Sequence, residues 1–553
     1  MVVLVGTGVR GRKVRQRATG SVAVAAILLV IGCSPAGSGA SSSSTSAAGN
    51  AAGSAASGAG GSGAAAGSPG AGAPEPSGET FVVARTGDVD QLDPQKATAF
   101  QTTETLDLVY SGLVALDQAG KLVPDLATKW ETAAGGKSIT FTLRTGVTWH
   151  NGDPFTAADV KASITRILDE KNAAVARSNL KTITAVDAIG TDQVKLTLSA
   201  PSTALLYSLA SLNSAILHNK DIAANTVAKT PNGTGPFVWS KWDQGQQVVL
   251  TANKKFYGGT PKIGTLQFRV IPAESSIVSG MKAGAFQVGL LSDPTVADNA
   301  GGSNKFSLVK QPTLAYHALM LNGRNGPLKD VRVRQAIACA IDRDQVIKTA
   351  ANGDGTVTGP ITSPGFVYSP TDGLPCKPGD TAAAKALLTQ AGFGGGITLN
   401  TIVETGEYAT AVAEGQNLQS QLKAIGVTLN LKQLTTDPYV KAWLAADFDA
   451  AVALNGGSYD PFLMYGRYYT TGGSLAKPAG LESPALNELL MKANASTVDA
   501  DRQAIYKNLQ RQLLTESPWV WLFRSDDYYL VSSTATSFKP RADRLLTSLA
   551  ATS

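Results

Sequence analysis

The sequence predicts a mixed fold, α/β or α+β, of two or three domains behind an N-terminal extension that does not fold with them. Three observations predict it. Strand-like alternation and helix-like periodicity are interleaved from residue 79 onward. That stretch is long enough for two or three domains with ordinary cores. Hydrophobic residues make up 43% of the 553-residue chain and charged residues 16%, which excludes a disordered polyelectrolyte and a multi-span membrane protein. The net charge of +6 invites a polyanion partner. Residues 1–32, however, hold Arg10, Arg12, Lys13, Arg15 and Arg17 and no acid, so the rest is nearly neutral and no nucleic-acid partner is expected.

Residues 18–32 carry no charge and end in Val30-Ile31-Gly32-Cys33. The run is shorter than the roughly 20 residues of a spanning helix and suits a secretion signal behind a positive start. Its end resembles the lipobox of bacterial lipoproteins, whose cysteine is acylated and becomes the N-terminus after cleavage. A cleaved signal with an incidental cysteine is the other reading; the scarcity of cysteine, three in all, favours the lipobox. Between Ser34 and Gly78 only Thr45, Asn50 and Glu75 are not Gly, Ala, Ser or Pro. Such a tract buries too little apolar surface to offset its chain entropy, and as a coil it reaches about 35–40 Å, a leash between membrane and domain. No later stretch has the length of a spanning segment.

The elements then follow in order. Phe81-Val82-Val83-Ala84 is a strand and Asp93-Pro94 a turn. Gly135-Gly136 separates two strand-like runs as a hairpin, the second carrying Ile139, Phe141 and Leu143. Asn151-Gly152-Asp153-Pro154 turns the chain into a helix boxed by Thr156 and Asp159, with Val160, Ile164, Ile167 and Leu168 on one face. Val194, Leu196 and Leu198 alternate as a strand. After Asp330, Val333, Ile337 and Ile341 form a helical stripe, with Arg332, Arg334, Asp342 and Arg343 off it. A helix with Leu418, Leu422 and Ile425 stops at Gly426 and feeds a strand of Val427, Leu429 and Leu431. Ser483-Pro484 caps another helix, and Trp519, Trp521 and Phe523 alternate in a late strand.

Enzymatic constellations are not found. The three histidines, His150, His218 and His317, are far apart, so no His-x-x-x-His metal pair exists. Gly136-Lys137-Ser138 looks like the end of a P-loop, but Glu131 stands where its first glycine belongs. No catalytic residue, metal or cofactor is assigned. Cys339 and Cys376 remain after Cys33. In an exported protein they are expected to bridge, closing a loop worth about 4 kcal/mol in the chain-entropy model; two separately buried thiols are the alternative.

Four blocks bring a family into view: Gln91-Leu92-Asp93-Pro94 with Val109-Tyr110-Ser111-Gly112-Leu113; Leu122 to Ala127 and Trp130; Phe141-Thr142-Leu143-Arg144 through Trp149-His150-Asn151-Gly152 to Val160; and Gly233-Thr234-Gly235-Pro236-Phe237. Val333 to Ile337, Ala340 to Arg343 and Tyr459-Asp460-Pro461 extend them. Over about residues 80 to 540 the chain resembles the family 5 extracellular solute-binding proteins, the oligopeptide-, dipeptide- and nickel-binding receptors of bacterial ABC importers. The resemblance implies an α/β bilobed clamp: signal peptide 1–32, lipidated Cys33 and linker to 78, lobe one from 79–314 plus 517–553, lobe two from 315–516, and two crossing strands as hinge. It implies a monomer on the outer face of the membrane that hands a peptide or similar polar solute to permease subunits with ATPases. A surface sensor or adhesion protein on the same clamp, and an exported hydrolase, are the rival readings.

By position in the family, ligand contacts are expected at Ala99 and Phe100 and along Leu454, Asn455, Gly456, Gly457 and Tyr459, with His150 left to a turn. Peptide receptors usually carry an aspartate for the ligand's α-amine where this chain has Gly457. Either Asp460 replaces it, or Gly457 opens room for a sugar, a metal chelate or another non-peptide solute, held by Asn455, Tyr459 and Arg467.

Cys33→Ala should release the protein to the medium or leave it unprocessed, as fractionation and intact mass would read. A variant that is processed and stays membrane-bound contradicts the anchor.

Overall fold

The computed structural model describes residues 80–551 apart from 302, 406 and 407; Cys33, the leader and the Gly/Ala/Ser/Pro tract lie outside the described residues. Among the described residues three larger sheets carry the architecture. The first has seven strands, in the order Phe306–Pro312, Asp526–Ser532, Val288–Leu291, Thr80–Arg85, Thr265–Val270, Gln247–Ala252 and Phe237–Asp243. Its central strand, the predicted Phe81 to Ala84 run, is parallel to both neighbours. Phe81 and Val83 enter one core and Ala84 the other, so the strand is apolar on both faces. The sequence thus ends this strand at the first charged side chain, Arg85.

The second sheet is antiparallel, with the order Ala127–Thr132, Ser138–Leu143, Gln193–Leu198 and Ile183–Ile189, and has its own core. Gly135 and Gly136 take φ of 83° and 70° in its first hairpin, so the P-loop-like fragment is that turn. The helix Ala157–Leu168 covers the sheet through Val160, Ile164 and Ile167, and the Asp159 carboxylate accepts from Thr156 N at 2.8 Å, as the capping box predicts.

The third sheet orders Val427–Leu434, Ile397–Glu404, Ala450–Asn455, Tyr316–Leu321 and Trp519–Trp521. Tyr316, Ala318 and Met320 enter one core, Leu319 and Leu321 the other. The helix Ala411–Lys423 ends before Gly426, whose φ of 84° turns the chain into the neighbouring strand.

Two features differ from the simple helical pattern. Arg334 and Arg343, which lie off the helical stripe, are nevertheless buried, each 3% exposed. The Arg334 guanidinium donates to Glu516 O at 2.7 and 2.9 Å and to Leu328 O at 2.8 Å, satisfying the end of the helix Asp499–Glu516; Arg343 reaches Pro370 O at 3.1 Å. The helical stripe is also interrupted: Val331–Ala340 and Arg343–Ala350 are separate helices, the second capped by Asp342, whose carboxylate accepts from Gln345 N.

The chain crosses between the first and third sheets twice. Phe306–Pro312 leads through Thr313–Ala315 into Tyr316–Leu321, and the return runs from Trp519–Trp521 to Asp526–Ser532. Thr313 N donates to Ser525 O at 3.1 Å where the two crossings meet. On the return, Trp519 to Trp521 pair with Met320 to Ala318 and Phe523 to Arg524 with Val357 to Thr356, and the first sheet resumes at Asp526, opposite Pro312.

Cys339, on the helix beside the third sheet, is joined to Cys376 with Cα atoms 5.8 Å apart. Labelling of denatured, unreduced protein should find neither thiol free, and reduction should lower the unfolding free energy by about 4 kcal/mol. Two labels on these residues would remove the bridge.

Candidate cleft between the lobes

A cavity of about 410 Å3 opens where the first and third sheets face each other across the crossings. Lobe one contributes Arg85 at the end of the central strand, Ala99 and Phe100 at the start of the helix Phe100–Leu106, and Asp526 to Tyr529 from the returning strand. Lobe two contributes His317, Tyr408, Leu454 and Phe523. A second cavity of about 240 Å3 runs into lobe two and shares Tyr408 and Leu454 with the first. Its walls are Tyr439, Trp443 and Tyr468, with Asn455, Gly456 and Arg467. Hydrogen bonds fix these rings: Tyr439 Oη donates to Val452 O at 2.8 Å and Tyr468 Oη to Asn455 Oδ1 at 3.2 Å. An apolar and aromatic wall with a few oriented polar groups is what a small-solute site requires.

The polar groups of the larger cavity are organised on lobe one. Arg85, 2% exposed, lies 3.4 Å from Glu104, donates to Gln101 O at 3.0 Å and rests over the Phe268 ring. Arg544, from the C-terminal tail, pairs with Asp527 at 2.6 Å and covers the Phe100 ring at 4.3 Å. Phe100 is 47% exposed, with one face held by this guanidinium and the rest open. On lobe two, His317 stacks on Phe523 at 4.2 Å, and its Nδ1 is 2.9 Å from the buried Glu414 carboxylate. The array can orient charged and polar atoms of a solute.

The expected contacts divide accordingly. The structure brings Ala99, Phe100 and Leu454 to the larger cavity and Leu454, Asn455, Gly456 and Arg467 to the smaller one. Gly457, Tyr459 and Asp460 are not on either wall. A Cβ on Gly457 would lie 1.8 Å from Leu314 O, so glycine is there because the backbone passes the hinge crossing, and it opens no room for a solute. Tyr459, 7% exposed, packs its ring on Gly120 of lobe one. Asp460 is fully buried and its oxygens are engaged: it caps the helix Pro461–Tyr469 by accepting from Phe462 N at 2.8 Å, pairs with Arg502 and accepts from Tyr506 Oη at 3.1 Å. It cannot replace the aspartate of the peptide receptors. His150 is in its turn, with Nε2 3.1 Å from Gly235 O and Nδ1 accepting from Gly233 N. Sequence reading missed Arg85, Glu104, Asp526, Asp527 and Arg544. Their one local signal is a charge at the end of an apolar strand, at Arg85 and at Asp526-Asp527.

The reassignment of 457 and 460 is testable. Asp460→Ala should cost about 3–5 kcal/mol, the penalty for leaving Arg502 buried and unpaired, and Gly457→Ala about 1–3 kcal/mol through overpacking. Urea unfolding reads both. Loss of solute affinity with stability unchanged would return these positions to the site.

The comparisons agree with this geometry. Residues 121–475 match the bacterial extracellular solute-binding proteins, family 5, middle region. The glutathione-binding protein GsiB of Pectobacterium atrosepticum is 25% identical over 472 residues, covering 80% of this chain and 88% of its own. Di/tripeptide-binding protein 2 of Pseudomonas aeruginosa is 26% identical over 475 residues, covering 80% and 89%. The binding protein AgaA of A. tumefaciens R10, solved with agropinic acid, superposes with a TM-score of 0.73 at 28% identity, covering 85% of this chain and 97% of that one. With a bilobed mixed fold, an interlobe cavity and a match over most of its folded length, the chain belongs to the family 5 extracellular solute-binding proteins, which are transport receptors and not enzymes.

Proposed function

We propose that the protein is the substrate-binding lipoprotein of an ABC importer, held to the outer face of the cell membrane through Cys33 and its leash. It captures a peptide or similarly sized polar solute between its lobes and delivers it to the permease. The observation that carries this reading is the cavity of about 410 Å3 at the crossings, walled by both lobes and sharing Tyr408 and Leu454 with an aromatic chamber in one of them. A solute that touches both walls binds the closed arrangement better than any open one. That differential affinity converts occupancy into a shape a permease can read. The size of the cavity suits a solute of the class named for the relatives, a tripeptide such as glutathione, a di- or tripeptide, or an opine-like acid such as agropinic acid. Closure as a monomer requires no second subunit.

Purified in mild detergent, the full chain should carry a noncovalent solute visible by native mass spectrometry and released on denaturation. Leu454→Trp, which fills the shared wall of both cavities, should weaken binding of that solute at least tenfold while the thermal transition stays cooperative. A chain without bound solute that gives no binding heat with dipeptides, tripeptides or glutathione contradicts the reading.

A further inference from the structure

The charges around the larger cavity do not balance. Five carboxylates line it against two guanidinium groups. Most of the acids are answered. Glu104 faces Arg85, Asp527 is paired with Arg544, and Glu274 accepts from Ser292 N and Oγ at 2.8 Å and from Asp293 N at 3.1 Å. At the other end of the wall, where the returning strand begins, Lys310 Nζ is 2.6 Å from Asp354 and 3.2 Å from Asp298. Asp354 also accepts from Tyr528 Oη at 3.1 Å, and Asp298 from Asn352 Nδ2 at 2.7 Å. That leaves Asp526. Its Oδ1 is buried without a hydrogen-bond partner, and two nearby cations, Arg524 and Lys310, attract it only through space. On the same cavity wall Arg85, nine-tenths buried and more, has Nε and Nη2 without partners. A buried polar atom left unanswered costs free energy; on this wall Asp526 supplies such an acceptor and Arg85 such donors, beside the His317 ring.

We infer that Asp526 anchors a cationic group of the bound solute, an ammonium or a guanidinium, while Arg85 meets an acceptor on the same molecule. The inference rests on the receptor reading above and names its ligand class: solutes carrying a positive group together with a carboxylate or carbonyl. It also answers the glycine at 457. A cation is recognised from the hinge strand of lobe one, three residues after Phe523 and opposite Pro312, instead of from the segment before Asp460. Burial and the nearby Asp354 push the Asp526 carboxyl above its ordinary value, so the empty site holds this charge at a cost that a ligand cation removes. A residue kept for binding at the expense of stability is recognisable by that sign.

The test uses the full chain in detergent and a fixed panel: one tripeptide in free, N-acetylated and C-amidated forms, free arginine, glutathione, succinate and maltose. Titration calorimetry is run on wild type and on Asp526→Asn. The solutes that bind wild type should all carry an ammonium or guanidinium, and acetylation of the tripeptide should weaken it at least tenfold. Asp526→Asn should weaken the cationic binders at least tenfold and bring free and acetylated tripeptide within threefold of each other. Its melting temperature without solute should be equal to or above that of wild type. The assignment is overturned if succinate or maltose is the binder, if acetylation changes affinity less than threefold, or if Asp526→Asn binds cationic solutes as wild type does. If wild type binds nothing on the panel, the receptor reading itself fails and this assignment with it.

Discussion

The paired crossing of the chain between two sheets is the constraint on which the rest depends. Thr313–Ala315 and the segment around Leu522–Ser525 connect the seven-stranded and five-stranded sheets, and they hold each other through the Thr313 N to Ser525 O bond and the Leu522 N to His317 O bond at 2.9 Å. Each crossing is a strand leaving one sheet and entering the other, so side chains next to it belong to both lobes at once. His317 and Phe523 stack on the lobe-two side, while Asp526 and Asp527 begin the lobe-one side. The cleft therefore lies against the crossings, where a small change of backbone torsion swings its walls apart in proportion to their distance from the crossings. Packed cores on either side move as units and do not absorb that change.

Away from the cleft, buried polar groups tie distant segments of the chain together. Arg334 closes the end of the helix Asp499–Glu516, Asp460 and Arg502 join two helices of lobe two, and Gly233 and Gly235 allow the backbone to pass against Val109. Asn494 binds lobe one through Thr203 N at 2.8 Å and Ala204 N at 3.1 Å. On the cleft wall Arg85 and Asp526 carry buried atoms without partners, and an aromatic chamber adjoins it at Leu454.

The elements were legible in the sequence wherever one local rule decides them. Gly135-Gly136, the Thr156 to Asp159 box, Gly426 and Ser483-Pro484 each act through nearby backbone, and each is where the pattern places it. The clamp itself followed from resemblance, not from periodicity. Local reading was weaker where a residue's meaning depends on distant partners. Arg334 is only a charge off a helical stripe until the end of a helix 182 residues away is brought to it. Gly457 looks like a missing carboxylate until Leu314 is seen beside it, and Asp460 looks available until Arg502 and Tyr506 are in place. The cleft charges were illegible for the same reason. Arg85, Asp527 and Arg544 are distributed over nearly the whole folded chain, and only the strand order puts them on one wall.

The central claim is that solute binding is read out as closure about these crossings. The direct measurement is a distance across the cleft by pulsed electron paramagnetic resonance, with spin labels on exposed residues of the two lobes such as Ser279 and Lys441, taken with and without the solute that co-purifies. The account predicts a shorter and narrower distance distribution when the solute is bound, and a return to the broad one when it is removed. A distribution that stays the same while calorimetry shows the site filled would contradict it.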